Sequence, residues 1–486
     1  MKFKRHTLFW IITTLVFSAL LLPGLLQDGM FMDGIQYACV AKNLANGSGS
    51  FWFPFLSETW WKAGSPYFME HPPLVYSLQA AFFYLFGDSF LVERMYSLMM
   101  TLVSTFFIVK IWTTLAATKE QLKLGWLPVL LWIIVPLTFW SFQNNILENT
   151  LGVFTSGAIY FACLGVKRGR SRIIWIILSG AFIFLATFSK GVPGLFPIAF
   201  FGICFCLHQN YKLREALTDT IIVIAIPGLI YFALSFFDSA SESLTFYVKD
   251  RLLSRIGNEP TVGNRFYSLG KLPMELVPPI ILSLALFILA KAKGQNIKPS
   301  VSQKKSALLF IGIGLSASLP LMLTPVQRGF YMLPSFQYFA LGFSFLLAQS
   351  VTNLIQRIDV SGRSYRVLTL IGSLLLLSTL IYSSLQAGKP GRSKRTLHDV
   401  YVIGNQLAEG SVVGVSDEVY NNWEFQFYML RYFNISFQPS PTITTSIFIS
   451  SNKNQELKNY IPLPYSTKKF YVFEFDSNSG EMRMPE

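Results

Sequence analysis

Eleven largely apolar stretches recur along the chain, at 7–26, 91–115, 124–140, 145–165, 173–189, 191–208, 217–237, 272–291, 306–323, 328–349 and 367–387. Most approach the roughly 20 residues that an α-helix needs to cross a hydrocarbon core about 30 Å thick. A twelfth, 72–86, is apolar but spans only about 22 Å as a helix, so it is read as an interfacial or re-entrant helix. The links between the stretches divide by charge. Lys167 to Arg172, Lys212 with Arg214, Lys291 to Lys305 and Arg357 to Arg366 are short and basic, as cytoplasmic loops are. Placing them all on one side fixes the parity of the crossings between them. The N-terminus, with Lys2, Lys4 and Arg5, falls on that same cytoplasmic side, and 7–26 reads as a signal anchor. The loops 31–74 and 238–271 then face the other, outer side.

The pattern breaks near Gly388. Beyond it the chain turns polar, with helix-like stretches at 398–407 and 423–432 and strand-like ones at 411–415, 446–450 and 470–475. The expected organisation is an all-α polytopic membrane body of about eleven transmembrane helices over 1–387. Its first outer loop, 27–90, carries juxtamembrane helices, and a small extracytoplasmic α/β domain covers 388–486.

Composition agrees. Hydrophobic residues make up 52% of the chain and charged ones 14%, and the mean hydropathy of +0.44 is too high for a soluble protein of this size. The net charge of +14 lies between apolar segments, so it marks membrane topology and not nucleic-acid binding. Of four cysteines, Cys163, Cys204 and Cys206 sit inside apolar runs and Cys39 has no evident partner, so neither a disulfide nor a cysteine metal site is expected.

Within this topology the polar residues that stand out share the outer side: Asp33, Glu70 and His71 in the first loop, Glu148 at a helix start, and Lys190 and Arg328 in Pro/Gly-flanked hairpins. Acids to move a proton, with cations to receive a phosphate, suit group transfer on an anionic substrate. Each also has a plainer reading. Asp33-x-x-Gln36 and Asn145-x-x-Glu148 fit helix capping boxes, and Lys190 and Arg328 fit snorkelling interface cations. Trp52, Trp60 and Trp61 read as an interfacial belt. Asn46-Gly47-Ser48 and Asn434-Ile435-Ser436 match a glycosylation sequon that is common by chance.

The series Asp33-x-x-x-Tyr37, Tyr67-Phe68-x-Glu70-His71-Pro72-Pro73-Leu74, Glu93-Arg94, Leu147-Glu148 and Ser189-Lys190-Gly191 resembles the GT-C glycosyltransferases. Within them it is similar to the protein O-mannosyltransferase and aminoarabinose (lipid A) transferase group, over about residues 7–390. The resemblance implies a polyprenyl-phosphate-sugar donor and inverting transfer to an acceptor on the periplasmic or lumenal face. Asp33 aligns with the first of the family's paired loop acids, and Gly34 stands in place of the second. His71 stands where the aminoarabinose branch has Lys, which is closer to the mannosyltransferase pattern. Glu148 and Lys190 match an acidic position and a Lys-Gly of the family.

The expectation is therefore a membrane-embedded inverting glycosyltransferase of the bacterial inner membrane. Asp33 and Glu148 are the catalytic pair, and Lys190, Arg328, His71 and Arg255 receive the donor phosphate. Glu70, Tyr37 and Arg94 orient the acceptor, which is a protein, lipid or glycan hydroxyl or phosphate. No cofactor is required, because placed cations suffice for a phosphate leaving group. A Mg²⁺ or Mn²⁺ ion held by Asp33 and Glu148 is the arrangement that would change this. The rival from another class is a transporter or flippase of lipid-linked sugars. It predicts ionisable groups at the bilayer midplane and matching halves; the acids here lie at outer ends and the halves do not match. An assembly scaffold with a partner-binding cap is a third reading.

If Asp33 is the general base, Asp33→Asn lowers turnover by roughly 10²–10⁴-fold while donor binding survives. Asn caps a helix about as well as Asp, so near-normal turnover of this variant in a transfer assay would assign Asp33 to capping.

Overall fold

The computed structural model describes residues 5–59, 65–167, 169, 171–254, 260–295, 298–439, 445–455, 457 and 459–476. The chain divides into two compact units. One comprises Met1–Leu26, Glu70–Val75 and Ser97–Ala387, and the other Gln27–Met69, Tyr76–Tyr96 and Gly388–Glu486.

The first unit is a helical bundle, and the protein is an integral membrane protein. Among the described residues nine helices are long and apolar enough to cross a bilayer. A helix satisfies its own backbone hydrogen bonds, which is why it suits a solvent that offers none. Helices Leu213–Leu234, Tyr267–Ala292 and Arg363–Ser384 bury only 17%, 22% and 17% of their apolar windows within the protein, so they turn rows of Leu, Ile and Phe outwards. Leu147–Val166 and Gly329–Gln356 bury 72% and form the centre. Leu147–Val166 packs closely on Arg172–Lys190. At their crossing a β-carbon on Gly157 would lie 2.2 Å from the Phe182 ring, so the approach depends on that small residue. Elsewhere Trp112 stacks on Phe345 at 4.5 Å and Phe9 on Trp126 at 4.8 Å.

Two of the eleven expected crossings differ. The stretch 124–140 is a pair of short helices, Trp126–Ile133 and Pro136–Gln143, bent by 78°. Pro136 lacks the N–H that would continue the first helix, and it opens the second instead. The Glu275 carboxylate accepts from the Leu137 N–H at 3.0 Å and so replaces a lost helix bond. The stretch 191–208 begins with a 3₁₀ helix, Val192–Ile198, and only Ala199–Leu207 is α-helical. Pro193 and Pro197 remove the amides that a full-length α-helix would use. The count is therefore nine, or ten if the bent pair is one crossing.

Both capping boxes are also corrected. Helix Met32–Ala45 is capped at Phe31, and helix Leu147–Val166 at Ile146, neither with a side-chain bond. Asp33 and Glu148 occupy the second helical position, where a carboxylate complements the helix dipole without capping.

The second unit joins first-loop segments to the C-terminal region. Helix Met32–Ala45 packs on helix Trp423–Phe433, beside helix Lys394–Gly404 and a five-stranded sheet. The strands are β1 Val412–Val415, β2 Ser436–Pro439, β3 Ile447–Ser450, β4 Tyr460–Pro462 and β5 Tyr471–Phe475, in the order β2-β1-β3-β5-β4. β1 runs parallel to β2 and β3; β5 runs antiparallel to β3 and β4. The two strands absent from the sequence pattern, β2 and β4, are the short edge strands that end in proline, where little apolar alternation is needed.

Charge locks this unit. Arg431 is 1% exposed and donates to Asp88 at 2.5 Å and to Glu93 at 2.9 Å. Its guanidinium also lies 4.7 Å from the Phe83 ring centroid. Lys42 binds Asp88 at 2.8 Å and the Arg431 carbonyl at 3.0 Å. Asp28 accepts the hydroxyls of Tyr401 and Tyr432, each at 2.6 Å. Burial pushes the Cys39 thiol up to about 12 against the opposing charges of Arg431 and Lys42, so this cysteine serves packing and not nucleophilic chemistry.

Arg431→Ala would strand the buried Glu93 carboxylate and destabilise this unit by about 3–5 kcal/mol. Lys42→Ala should cost less, because its partner Asp88 is half exposed. Limited proteolysis followed across a thermal ramp reads both, with cleavage of 388–486 appearing at the lower temperature in Arg431→Ala.

Candidate active site

The helices Leu147–Val166 and Arg172–Lys190 form an antiparallel hairpin, so the start of one adjoins the end of the other. This brings Glu148 and Lys190 together. Lys190 Nζ donates to Glu148 Oε1, with the side chains 7% and 1% exposed. Glu148 near a helix N-terminus and Lys190 at a C-terminus each match the local dipole. The ammonium also lies 4.6 Å from the Tyr331 ring centroid and 5.9 Å from that of Phe330, which stacks on Trp140. Cation–π attraction adds to the carboxylate in holding the charge below the surface.

The pair leaves hydrogen-bonding capacity open. Among the described residues Glu148 Oε2, Asn149 Nδ2 and Thr138 Oγ1 are buried without hydrogen-bond partners. All three residues line one narrow cleft with Gln337, whose amide donates to the Gly152 carbonyl at 3.1 Å. Buried polar atoms left unmatched in this way are uncommon and mark places where a polar ligand or water is expected.

Arg328 precedes the short 3₁₀ turn Gly329–Met332 that carries Phe330 and Tyr331. Its side chain is exposed, but its backbone is held by the neighbouring Gln327. That amide accepts from Ser268 N and Oγ at 3.1 and 2.6 Å and donates to the Arg265 and Thr324 carbonyls, each at 2.8 Å. Thr261 Oγ1 adds a bond to the Gln327 carbonyl at 2.9 Å.

On the other side of Lys190 an apolar cavity of about 660 Å³ opens, walled by Gly191, Leu195, Ile224, Tyr231 and Tyr247, with Pro72 at its edge. Gly191 has φ +84°, and a β-carbon there would meet the Tyr247 hydroxyl at 1.8 Å. That hydroxyl donates to the Lys190 carbonyl at 3.2 Å. Tyr247 opens a π-helical segment, Tyr247–Leu253, which contributes Lys249 to the cavity and Arg251 to an ion pair with Glu70 at 2.8 Å.

Of the residues expected from the sequence, the first unit thus holds Glu70, His71, Glu148, Lys190 and Arg328. It joins Glu148 to Lys190, places Lys190 against the turn that follows Arg328, and pairs Glu70 with Arg251. Asp33, Tyr37 and Arg94 belong to the second unit. There Asp33 is half-buried in the first turn of its helix, and Tyr37 packs 6.4 and 6.0 Å from Phe68 and Tyr76. Arg94 is 3% exposed and donates to the Gly29 carbonyl at 2.5 Å. Arg255 lies outside the described residues. Among those residues no three His, Cys, Asp or Glu side chains gather as a metal site. Sequence reasoning missed Asn149, Tyr247, Tyr331 and Gln337; among so many aromatics and small polar groups in apolar helices, no spacing singles these out.

A family model for dolichyl-phosphate-mannose-protein mannosyltransferases matches residues 70–236, which include Glu70, His71, Glu148 and Lys190. Among solved structures, ArnT from Cupriavidus metallidurans bound to undecaprenyl phosphate is 13% identical, with a TM-score of 0.63 over 98% of both chains. Its apo form is 14% identical, with a TM-score of 0.61 over 96% of this chain and 97% of that one. The chain has the GT-C glycosyltransferase fold. The Archaeoglobus fulgidus oligosaccharyltransferase in its apo form shares this GT-C architecture at 13% identity and a TM-score of 0.55, over 91% of this chain and 70% of that one. No curated protein matches in sequence.

In this GT-C bundle, Lys190→Met should strand the Glu148 carboxylate and lower the thermal midpoint of the purified protein. Adding Glu148→Gln should restore most of the midpoint, because the unpaired buried charge is gone. A thermal melt of the single and double variants checks this, and a midpoint that the second substitution does not restore would count against the charge balance of the pair.

Proposed function

We propose that this protein is an inverting glycosyltransferase that moves a sugar from a polyprenyl-phosphate-linked donor to an acceptor on the outer face of the membrane. The observation that carries the reading is the buried Glu148–Lys190 pair, with its unmatched polar neighbours, set beside a large apolar cavity. A transporter has no evident use for such an arrangement. A transferase needs an apolar groove for the lipid and a fixed charge pair at its head.

The acceptor oxygen attacks the anomeric carbon from the face opposite the phosphate. The carbon–oxygen bond to phosphate breaks, its electron pair stays on that oxygen, and polyprenyl phosphate departs. The acceptor proton goes to a carboxylate, a role assigned to Asp33 on the sequence resemblance. Lys190 and Arg328 stabilise charge that grows on the bridging oxygen, so they act on the transition state more than on the bound donor. Glu148 holds Lys190 in place and offers Oε2 to a polar group of the substrate. His71 and Arg255 are proposed to contact the phosphate, and Glu70, Tyr37 and Arg94 to orient the acceptor. The ArnT structure that shares the fold is described as bound to undecaprenyl phosphate, and a lipid phosphate of that class suits the apolar cavity here. We place the protein in a bacterial inner membrane, with the outer loops periplasmic.

Mass spectrometry of the cell envelope with and without the protein tests the assignment: one glycan, lipid or protein species should lose a single sugar, and an unchanged envelope would overturn it. In a reconstituted assay, Arg328→Lys should not preserve the rate, because the bidentate fork is lost although the charge remains. Activity should persist in excess chelator; loss on chelation, with recovery on adding Mg²⁺ or Mn²⁺, would place a metal in the reaction.

A further inference from the structure

A second cavity lies at the far end of the same helical hairpin. Helix Leu147–Val166 is 20 residues long, which separates its ends by about 30 Å. Where Glu148 stands at one end, the other opens into a space of about 470 Å³. Its apolar walls include Cys163, Phe200 and Leu309, and its polar ones Lys167, His208, Asn210 and Ser302.

The charge there is one-sided. Among the described residues no carboxylate lines the cavity. The acid beside it, Asp219, accepts Arg172 through both oxygens at 2.7 and 2.6 Å and the Tyr211 hydroxyl at 2.7 Å, so its charge and lone pairs are already engaged. Lys305 is not itself a wall of the cavity but lies next to Ser306 on helix Val301–Ser318, which gives Ser302, Ser306 and Leu309 to it. Burial, and after it the Lys305 charge, hold the His208 imidazole below its ordinary pKa. Cations and donors without an acid, over an apolar floor, match a molecule with an anionic head and a hydrocarbon tail.

We propose that this cavity binds a phosphate-bearing amphiphile, the phosphate held by Lys167, Lys305 and His208 and the chain laid against Cys163, Phe200 and Leu309. The site is separate from the Glu148–Lys190 centre and does not depend on the reaction assigned to it. The same phosphate chemistry is offered by a lipid headgroup and by free phosphate, and the two are separable.

The full-length protein, purified and delipidated in a neutral detergent, is examined by native mass spectrometry with added phosphatidylglycerol, phosphatidylcholine or inorganic phosphate. One phosphatidylglycerol should be retained in preference to phosphatidylcholine, whose own ammonium neutralises its phosphate. The double variant Lys167→Gln, Lys305→Gln should weaken that retention by about tenfold or more, and His208→Gln by less. Lys167 is exposed and Lys305 partly so, so an unchanged thermal midpoint is expected and confirms folding. Displacement of the lipid by millimolar inorganic phosphate would support the site and assign it to soluble phosphate. Equal retention of the two lipids, or unchanged retention in the folded double variant, would overturn it.

Discussion

A carboxylate and an ammonium as buried as Glu148 and Lys190 persist in an apolar bundle because each neutralises the other. Separated, either would face a desolvation penalty of several kcal/mol. Their meeting requires the hairpin of Leu147–Val166 and Arg172–Lys190 to be in register, and that register rests on small residues such as Gly157 at the crossing. It also requires the second helix to stop at Lys190. Gly191, in a backbone conformation that disfavours a side chain, stops it there, and the Tyr247 hydroxyl closes over the exposed carbonyl. The same glycine lines the apolar cavity. Helix termination, charge pairing and cavity wall are thus consequences of one short segment.

The surroundings of the pair divide the labour between rigidity and reach. Gln327 ties the 324–328 hairpin through four hydrogen bonds, so Phe330 and Tyr331 stay beside the ammonium while the Arg328 side chain remains exposed. The backbone that carries Arg328 is thus fixed while its side chain is left exposed. Outside the pair, polar groups within the bundle are mostly matched locally. Serine and threonine hydroxyls return to carbonyls one turn back, as Thr101, Ser156 and Ser344 do. Unmatched buried atoms occur elsewhere in the bundle, as at Thr13, Trp126 and Ser350, but at Glu148 three residues that carry them line one cleft.

In the second unit a different balance holds. Arg431 bridges Asp88 and Glu93, and Asp28 collects two tyrosine hydroxyls, so first-loop and C-terminal segments hundreds of residues apart share one interior. The boundary at Gly388 is therefore a change of composition; the compact unit that contains 388–486 also takes in most of the first loop.

Hydropathy by itself determined the membrane character and most of the crossings, because the cost of an unpaired backbone or charge in hydrocarbon leaves few sequences able to cross. Residue order also singled out Glu148 and Lys190 one by one, since an acid and a lysine at the ends of apolar helices are conspicuous. What it did not contain was their partnership. Two residues 42 positions apart pair through hairpin register, a property of helix packing and not of local spacing. Nor could it separate a proline that bends a crossing, as at Pro136, from one that a crossing absorbs, as at Pro227. That depends on whether a distant group such as Glu275 is placed to take the freed amide. Asp28 passed unnoticed for the same reason, because its meaning lies in Tyr401 and Tyr432. Only the tertiary structure decides such cases, because a hydrogen bond or an ion pair belongs to two residues and the chain states them one at a time.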